Sequence, residues 1–490
     1  MIEHRYRAIF HDLVPLHGFH GIEADVWGPF VWSEKRFAVR KIGAGVNYVA
    51  RVCFNGDEAT LGIRANGSVR KEINIRRGWN NYPLDLSDVG TADIEFELSY
   101  VPHVPSDHRE LGIMIRSIRA LENPQTFEWV ENALKNKFLN DREFADGKVV
   151  LESLPPHLRV ALEVRCNIKP HCVYCDWEHS KFEERDPVFR LSAERLMDMG
   201  AFFSLAERVG ECVAGEPLLN SNFADVVSLL HRCAKPLAMA TNGQLLDFHK
   251  RSILLGKDVE LYVSLDAPTP EGYARYRNNK FNLVIANLRA LCGARPLGTL
   301  PNVIATFIVM KSNLNEFPAL VDLMKDVGVD GIRLTNLNTY PHLMNRVVRR
   351  GGAEFRYGEE TMSLPKFNRF VDDARMMAAT RSMPILSNSD FMASDAHVNG
   401  PLCNEPWRTI NVAGRGLVMC MCASNDDGII ARWSEQGQRS TDQFMFDVWN
   451  GEVYREIRSR LAQGRFARQC VAHCPIARKT SKETWERSRP

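Results

Sequence analysis

The chain has 490 residues, 45% of them hydrophobic and 25% charged, with a formal net charge of +2. That length exceeds one ordinary core and implies two to four domains, while the near-balanced charge gives no bulk argument for nucleic acid or a membrane surface. The first residues, MIEHRYRAIFHDLV, lack the apolar stretch and cleavage site of a secretory signal, and no apolar run approaches the 18 residues of a membrane span, so the expected location is the cytoplasm.

Residues 1–118 show period-two patterning in NYVARVCFNG, KEINIRRGWNNYPLDL and ADIEFELSYV, with turn residues between the runs, which predicts a β-sandwich. Residues 119–156 contain the helical pattern NPQTFEWVENALKNKFL and form a linker. From residue 157 to 345 short strands alternate with helices: HLRVALEVRC, ERVGECVAGEP, KPLAMATNG, VELYVSLDA, NVIATFIVM and DGIRLTNLN are the strand candidates. Alternation of this kind predicts a parallel α/β sheet or barrel, whose ligands gather at the C-terminal strand ends. Cys166, Glu216, Asn242, Asp266 and Asn313 all fall at or just past such ends. Asn313 also reads as a helix cap, with Glu316 three residues later in capping-box position. Residues 346–400 form a mixed connector, and 401–490 a small C-terminal domain rich in cysteine.

The chain has 12 cysteines, unevenly placed. In a reducing compartment they are poor candidates for disulfides, and clustering points to metal or catalysis. Cys53, Cys233 and Cys292 stand alone among apolar neighbours and read as small buried hydrophobes. Cys166, Cys172 and Cys175 share ten residues, CNIKPHCVYC. Zinc on three cysteines needs a fourth protein ligand for a closed site, and His171 or His179 is near enough in sequence. A 4Fe–4S cluster on three thiolates instead leaves one iron open, which is useful only if something binds there. Unrelated buried thiols fit poorly, because the segment also carries Asn, Lys, Pro, His and Asp.

The loop resembles the cluster loop of radical S-adenosylmethionine (radical SAM) enzymes. Their usual spacing is Cys-x3-Cys-x2-Cys; this chain has Cys-x5-Cys-x2-Cys, with two extra residues before the second cysteine. The resemblance continues through VAGEPLL, ATNGQLL, SLD, YARYR and VMKSN in the family's order. Each alone is weak, since a lone GEP is ordinarily just a turn. The resemblance implies a partial (β/α)6 barrel, a SAM-binding 4Fe–4S cluster on Cys166, Cys172 and Cys175, and S-adenosylmethionine held by named groups. Tyr174 would touch the adenine. Gly215, Glu216 and Pro217 form the turn that receives the methionine amino group, with Asn242 at the next strand end. Ser264 and Asp266 would meet the ribose, Arg277 the carboxylate, and Asn313 would lie near the adenine. The implied chemistry is reductive cleavage of SAM to a 5′-deoxyadenosyl radical, fed by a reductant such as flavodoxin or ferredoxin.

CNEPWRTINVAGRGLVMCMC at 403–422, VWNGEVYREIRSRLAQG and CVAHC at 470–474 resemble SPASM-type C-terminal domains, in a single-cluster, Twitch-like form. This implies one auxiliary 4Fe–4S cluster on Cys403, Cys420 or Cys422, Cys470 and Cys474. Structural zinc on the same thiolates, or His473 as a ligand, are the alternatives. An auxiliary cluster can accept an electron from a substrate radical, giving dehydrogenation. It can also supply one while a thiol returns hydrogen, giving epimerisation. Cys212 is the candidate hydrogen donor, against the blander reading that it packs.

The first domain resembles an accessory β-sandwich of bacterial glycosyltransferases and methyltransferases in surface-glycan pathways, most closely in SDHRELG. The implied substrate is a sugar or glycan-linked molecule; the alternative is a peptide or protein, as for SPASM-type maturases. A further alternative is a zinc-stabilised, non-catalytic glycan-binding scaffold. Trp27, Trp32 and Trp79 could stack on sugar faces or fill the sandwich core, and Asp107 with Arg109 reads as a structural ion pair. Arg333, Arg346, Arg349 and Arg350 read as a solvated basic face or as contacts to a phosphate or nucleotide-sugar.

Overall fold

The computed structural model describes residues 9–25, 28–43, 45–103, 107–121, 123–176, 190–211, 215–295, 300–350, 352–387, 401–420, 422, 428–472, 474 and 476–477. Trp27, His179, Cys212 and His473, all named above, lie outside them.

The N-terminal region is β1 (Val14–Phe19), β2 (Glu23–Asp25), β3 (Gly28–Lys41), β4 (Asn47–Ala65), β5 (Ser68–Leu84), β6 (Ala92–Leu98) and β7 (Met114–Leu121). Alternation sets one face inward: β6, ADIEFEL, buries Ala92, Ile94, Phe96 and Leu98 while Glu95 is exposed. The 4–5 hairpin turns at Asn66-Gly67, both with positive φ (50° and 77°), as a tight hairpin of right-handed strands requires. The seven strands form one hydrogen-bonded sheet. Strand β3 pairs with β7 at Val31–Trp32 and with β6 at 36–41; β4 pairs with β7 over 47–53 and with β6 over 61–65. The long strands β3 and β4 thus each pair with both β6 and β7, around a core that includes Phe37, Phe54, Tyr82 and Phe96, with the Phe37 and Phe96 rings stacked 4.8 Å apart.

Helix α1 (Pro124–Ala145) is the expected helix of the linker, continued past residue 139, and starts at an Asn123 cap whose side chain accepts from Gln125 N. It ties three parts of the chain together. Lys137 Nζ donates to Trp79 O (2.7 Å) and Asn80 Oδ1 (2.6 Å), Thr126 Oγ1 to Arg232 O (3.0 Å), and Asn140 Nδ2 to Trp407 O (2.8 Å).

The barrel strands are β8 (His157–Val160), β9 (Arg208–Glu211), β10 (Leu237–Thr241), β11 (Val259–Ser264), β12 (Asn302–Val309) and β13 (Gly331–Asn336). They lie parallel in sequence order. Strand β12, NVIATFIV, is buried at nearly every position, as a parallel strand covered on both faces should be. Helices α2 (Phe223–Arg232), α3 (Phe248–Leu254), α4 (Pro270–Tyr276), α5 (Phe281–Gly293) and α6 (Phe317–Val327) connect them. Beyond the six strands the connector adds the hairpin β14 (Val347–Arg350) and β15 (Ala353–Arg356), helix α7 (Leu364–Ala379) and a further parallel strand, β16 (Ile385–Ser387), beside β13.

At the other edge, β17 (Thr409–Ala413) pairs parallel with β8, followed by antiparallel β18 (Gly416–Val418) and β19 (Ile429–Arg432). The C-terminal region therefore continues the barrel's own sheet. Helices α8 (Thr441–Trp449) and α9 (Glu452–Ala462) fold back on residues 149–153. Trp449 Nε1 donates to Ser153 O, and buried Arg458 donates to Val149 O and Pro406 O while its guanidinium lies 4.3 Å from the Trp449 ring centre. The tryptophan and arginine of that motif are structural ties. No described helix is long and apolar enough to cross a membrane.

Candidate functional site

The cysteine loop leaves the end of β8. Cys172 is buried, Cys166 and Cys175 are half-buried, and all three pack against the barrel core. Cys175 N donates to Cys172 O (3.0 Å) and Val173 N to Tyr276 O (3.0 Å), which turns the loop back over the barrel. Burial pushes the Cys166 thiol up to about 11 and raises that of Cys172, each opposed by the Arg277 cation; Arg277 Nη1 lies 3.8 Å from Cys172 Sγ.

One carboxylate organises the strand ends below. Asp266, fully buried just past β11, accepts from Arg277 Nε (2.6 Å) and Tyr174 Oη (2.5 Å) through Oδ2, and from Ile308 N (3.0 Å) through Oδ1. The Asp266 carboxylate charge would favour ionised Arg277, and Arg277 is held well above its ordinary range despite burial. Asn313 completes the node: Nδ2 donates to Asp266 O (3.2 Å) and Ile308 O (3.0 Å), and Oδ1 accepts from Met310 N (2.9 Å). Asn313 is thus no helix cap. It lies inside a short 3-10 turn, Lys311–Glu316, and α6 begins after it, because the amide is spent joining the ends of β11 and β12. Tyr174, Asp266, Arg277 and Asn313 are therefore gathered in one network beside the cysteine loop. Ser264 ends β11, half-buried, paired in register with Thr306.

The second group follows β9. Glu216 is fully buried and accepts from Leu218 N (3.2 Å), Thr241 Oγ1 (2.7 Å) and Asn242 N (2.8 Å). Burial raises its carboxyl to about 7, against the pull of these donors. Asn242 Nδ2 reaches Asn167 Oδ1 in the cysteine loop (2.7 Å), so the two groups are linked. Pro217 is buried and opens the short turn Pro217–Leu219. Gly215 is there for space: a Cβ on it would sit 2.1 Å from Glu163 O. Gly215→Ala should displace the turn, lowering the melting temperature by several degrees; a wild-type melting temperature would show the turn has room.

Glu211, at the end of β9, was not singled out by its sequence context. It accepts from Ala240 N (2.8 Å), and burial raises its carboxyl well above the ordinary range. A lone acid in a strand pattern carries no signal of this kind.

The C-terminal cysteines also converge. Cys422 lies against both Cys420 and Cys474, and Cys403 is within electrostatic reach of Cys474 and Cys420. Cys470 and Cys474 close successive turns, Cys470 N donating to Ala467 O (3.0 Å) and Cys474 N to Val471 O (3.1 Å). Strand β17 starts six residues after Cys403, and β18 ends two before Cys420, so the hairpin that extends the barrel sheet delivers these thiols. Both Cys420 and Cys422 are in the group.

Among the described residues no set of three or more His, Cys, Asp or Glu closes into a shell for a single metal ion. His171 Nε2 lies 3.0 Å from Lys169 Nζ. The donor chemistry fits an iron–sulfur cluster: three thiols within ten residues, one buried and two half-buried, with the Arg277 cation beside Cys172 to offset thiolate charge.

The basic residues in and past β13 are not one surface. Arg333, within β13, is half-buried against the Tyr262 ring, 4.0 Å from its centre, and Arg349 pairs with Glu354 (2.9 Å) in the open. Arg346 and Arg350 grip the cysteine loop. In the first domain Trp32 is buried, and half-buried Trp79 has the Arg116 guanidinium 4.6 Å from its ring centre, which covers one face of that ring. Asp107 and Arg109 form the expected pair, through Nε (3.0 Å) and Nη2 (2.7 Å). Cys233 and Cys292 are buried as expected, whereas Cys53, in β4 between Trp79 of β5 and Met114 of β7, is half-buried.

No family model matches the chain. It is 27% identical over 204 residues to the tungsten-containing aldehyde ferredoxin oxidoreductase cofactor-modifying protein of Pyrococcus furiosus, which covers 40% of this chain and 56% of that protein. It is 29% identical over 134 residues to GTP 3′,8-cyclase of Synechocystis, covering 27% of this chain and 40% of that one. The chain thus spans about half the length of the curated relatives it matches. Among solved structures, SuiB of Streptococcus suis, bound to its precursor peptide SuiA, aligns at a TM-score of 0.48 and 15% identity over 69% of this chain and 73% of that one. Six parallel strands in sequence order carry a three-cysteine loop after the first and a buried glutamate turn after the second, which is the α/β partial barrel that the sequence predicts.

Proposed function

We propose that the chain is a radical SAM enzyme with one auxiliary iron–sulfur cluster. Cys166, Cys172 and Cys175 would hold a 4Fe–4S cluster, and Cys403, Cys420 or Cys422, Cys470 and Cys474 a second. The first cluster, with SAM bound and an electron from a donor such as flavodoxin or ferredoxin, would supply methionine and a 5′-deoxyadenosyl radical that takes hydrogen from a substrate carbon. The observation that carries this reading is the network of Tyr174, Asp266, Arg277 and Asn313 against the cysteine loop.

The residues' own tasks follow from their contacts. Glu216, raised to about 7 and fixed by three donors, offers a carboxyl at the turn where an ammonium would favour its ionised form. Asp266 holds Arg277 and Tyr174 in place, so the guanidinium is fixed before a carboxylate arrives. Arg277's Nη1 faces Cys172, and its Nε is already occupied by Asp266, so a substrate carboxylate would meet only one edge of the fork.

Dehydrogenation or epimerisation of the substrate remains our reading of the auxiliary cysteines. A sugar substrate draws no support from buried Trp32 and rests on the likeness of the first domain. The test is anaerobic reconstitution followed by dithionite and SAM. We expect 5′-deoxyadenosine and methionine in equal amounts; neither product above a no-protein control would end the reading.

A further inference from the structure

The cysteine loop carries two more residues before its second cysteine than the usual spacing, and a longer loop needs more to hold it. Two arginines from outside the six-stranded barrel do so. Arg350, the last residue of β14, spans two carbonyls with different nitrogens: Nη2 donates to His171 O (2.7 Å), within the lengthened part of the loop, and Nη1 to Arg277 O, at the end of α4. Arg346 Nη1 donates to Cys175 O (2.9 Å). Just past the third cysteine, Asp176 Oδ1 meets His342 Nε2 at 2.5 Å. The segment 342–350 thus touches the loop at its second and third cysteines and, through Arg350, joins it to the helix that carries Arg277. Arg349, the intervening residue, points away to Glu354.

We propose that Arg346 and Arg350 are positioning residues for the barrel's cluster, fixing the loop against Arg277 and raising the cluster's reduction potential through their charge. The inference rests on the radical SAM reading and deepens it. A guanidinium beside a cluster favours the more negative, reduced state. A planar fork can bridge two carbonyls as a lysine ammonium cannot, so geometry and charge are separable by substitution.

The test uses the full chain, reconstituted anaerobically, with the barrel cluster followed by electron paramagnetic resonance during a redox titration, with and without SAM. Arg350→Met and Arg346→Met should each shift the barrel cluster's midpoint to lower potential and reduce the SAM-induced change in its spectrum. Arg350→Lys should keep the potential near wild type yet still blunt the SAM-induced change. Arg349→Met, on the same hairpin, should match wild type in both. Loss of the barrel iron alone from Arg350→Met, with C-terminal iron and the melting temperature retained, would equally support a positioning role. Wild-type potential and wild-type SAM response in both methionine variants would overturn the proposal while leaving the radical SAM reading intact. A wild-type protein whose cluster spectrum ignores SAM would remove that reading, and the clamp with it.

Discussion

Replacing Cys166, Cys172 and Cys175 together by alanine should abolish 5′-deoxyadenosine formation to background and remove about half of the bound iron, about four atoms per chain. The expectation follows from how the two cysteine groups are built. The barrel loop is anchored by local turns and by Arg346 and Arg350, whereas the C-terminal thiols are delivered by β17 and β18 and by the turns that Cys470 and Cys474 close. The groups share a sheet but no ligand, so emptying one should leave the other filled. Iron and sulfide assays on the purified variant, alongside deoxyadenosine by mass spectrometry, check this. A triple variant that still cleaves SAM would place the chemistry elsewhere. One that loses all iron would show that the two groups do not fill independently.

The second large effect concerns the carboxylate at the centre of the strand ends. Asp266→Ala would leave the Arg277 cation buried, its side chain 5% exposed, without its ion-pair partner. Breaking a buried pair from one side costs about 3–5 kcal/mol, because an uncompensated charge remains. Tyr174 Oη and Ile308 N would lose their acceptor as well. We expect a barrel transition at clearly lower urea concentration and SAM affinity reduced at least a hundredfold. The double variant Asp266→Ala with Arg277→Leu should recover much of the stability, since it removes the stranded charge, but none of the SAM affinity. Equal stability of single and double variants would mean that Arg277 finds other compensation. The transition must be assigned to the barrel separately, because a chain of several domains need not unfold in one step.

The barrel was legible because each strand of it is a short apolar run closed by a polar motif. ATNG, SLDA and VMKSN mark strand ends by composition, and the structure puts Asn242, Asp266 and Asn313 there. What composition could not show is which partner each polar group takes. Asn313 matched a capping box locally, yet its amide is drawn off by carbonyls of two neighbouring strands, one of them 47 residues away in sequence. Arg346 and Arg350 looked like a basic face because their partners are carbonyls 171 and 179 residues earlier, which carry no residue signature at all. The same holds for β17. Nothing in RTINVAG announces that it pairs parallel with HLRV some 250 residues before it, and so the attachment of the C-terminal cysteines to the barrel sheet was hidden. In the first domain the tryptophans were ambiguous for a related reason: ring type fixes the chemistry on offer but not whether Arg116 covers it.

Metal content of the wild-type protein after anaerobic reconstitution tests the account most directly. Two cysteine groups that each hold a 4Fe–4S cluster predict about eight irons and eight sulfides per chain, with negligible zinc, and deoxyadenosine on adding dithionite and SAM. Zinc without iron, and no deoxyadenosine, would contradict it, leaving a barrel whose thiols serve only to stabilise a scaffold.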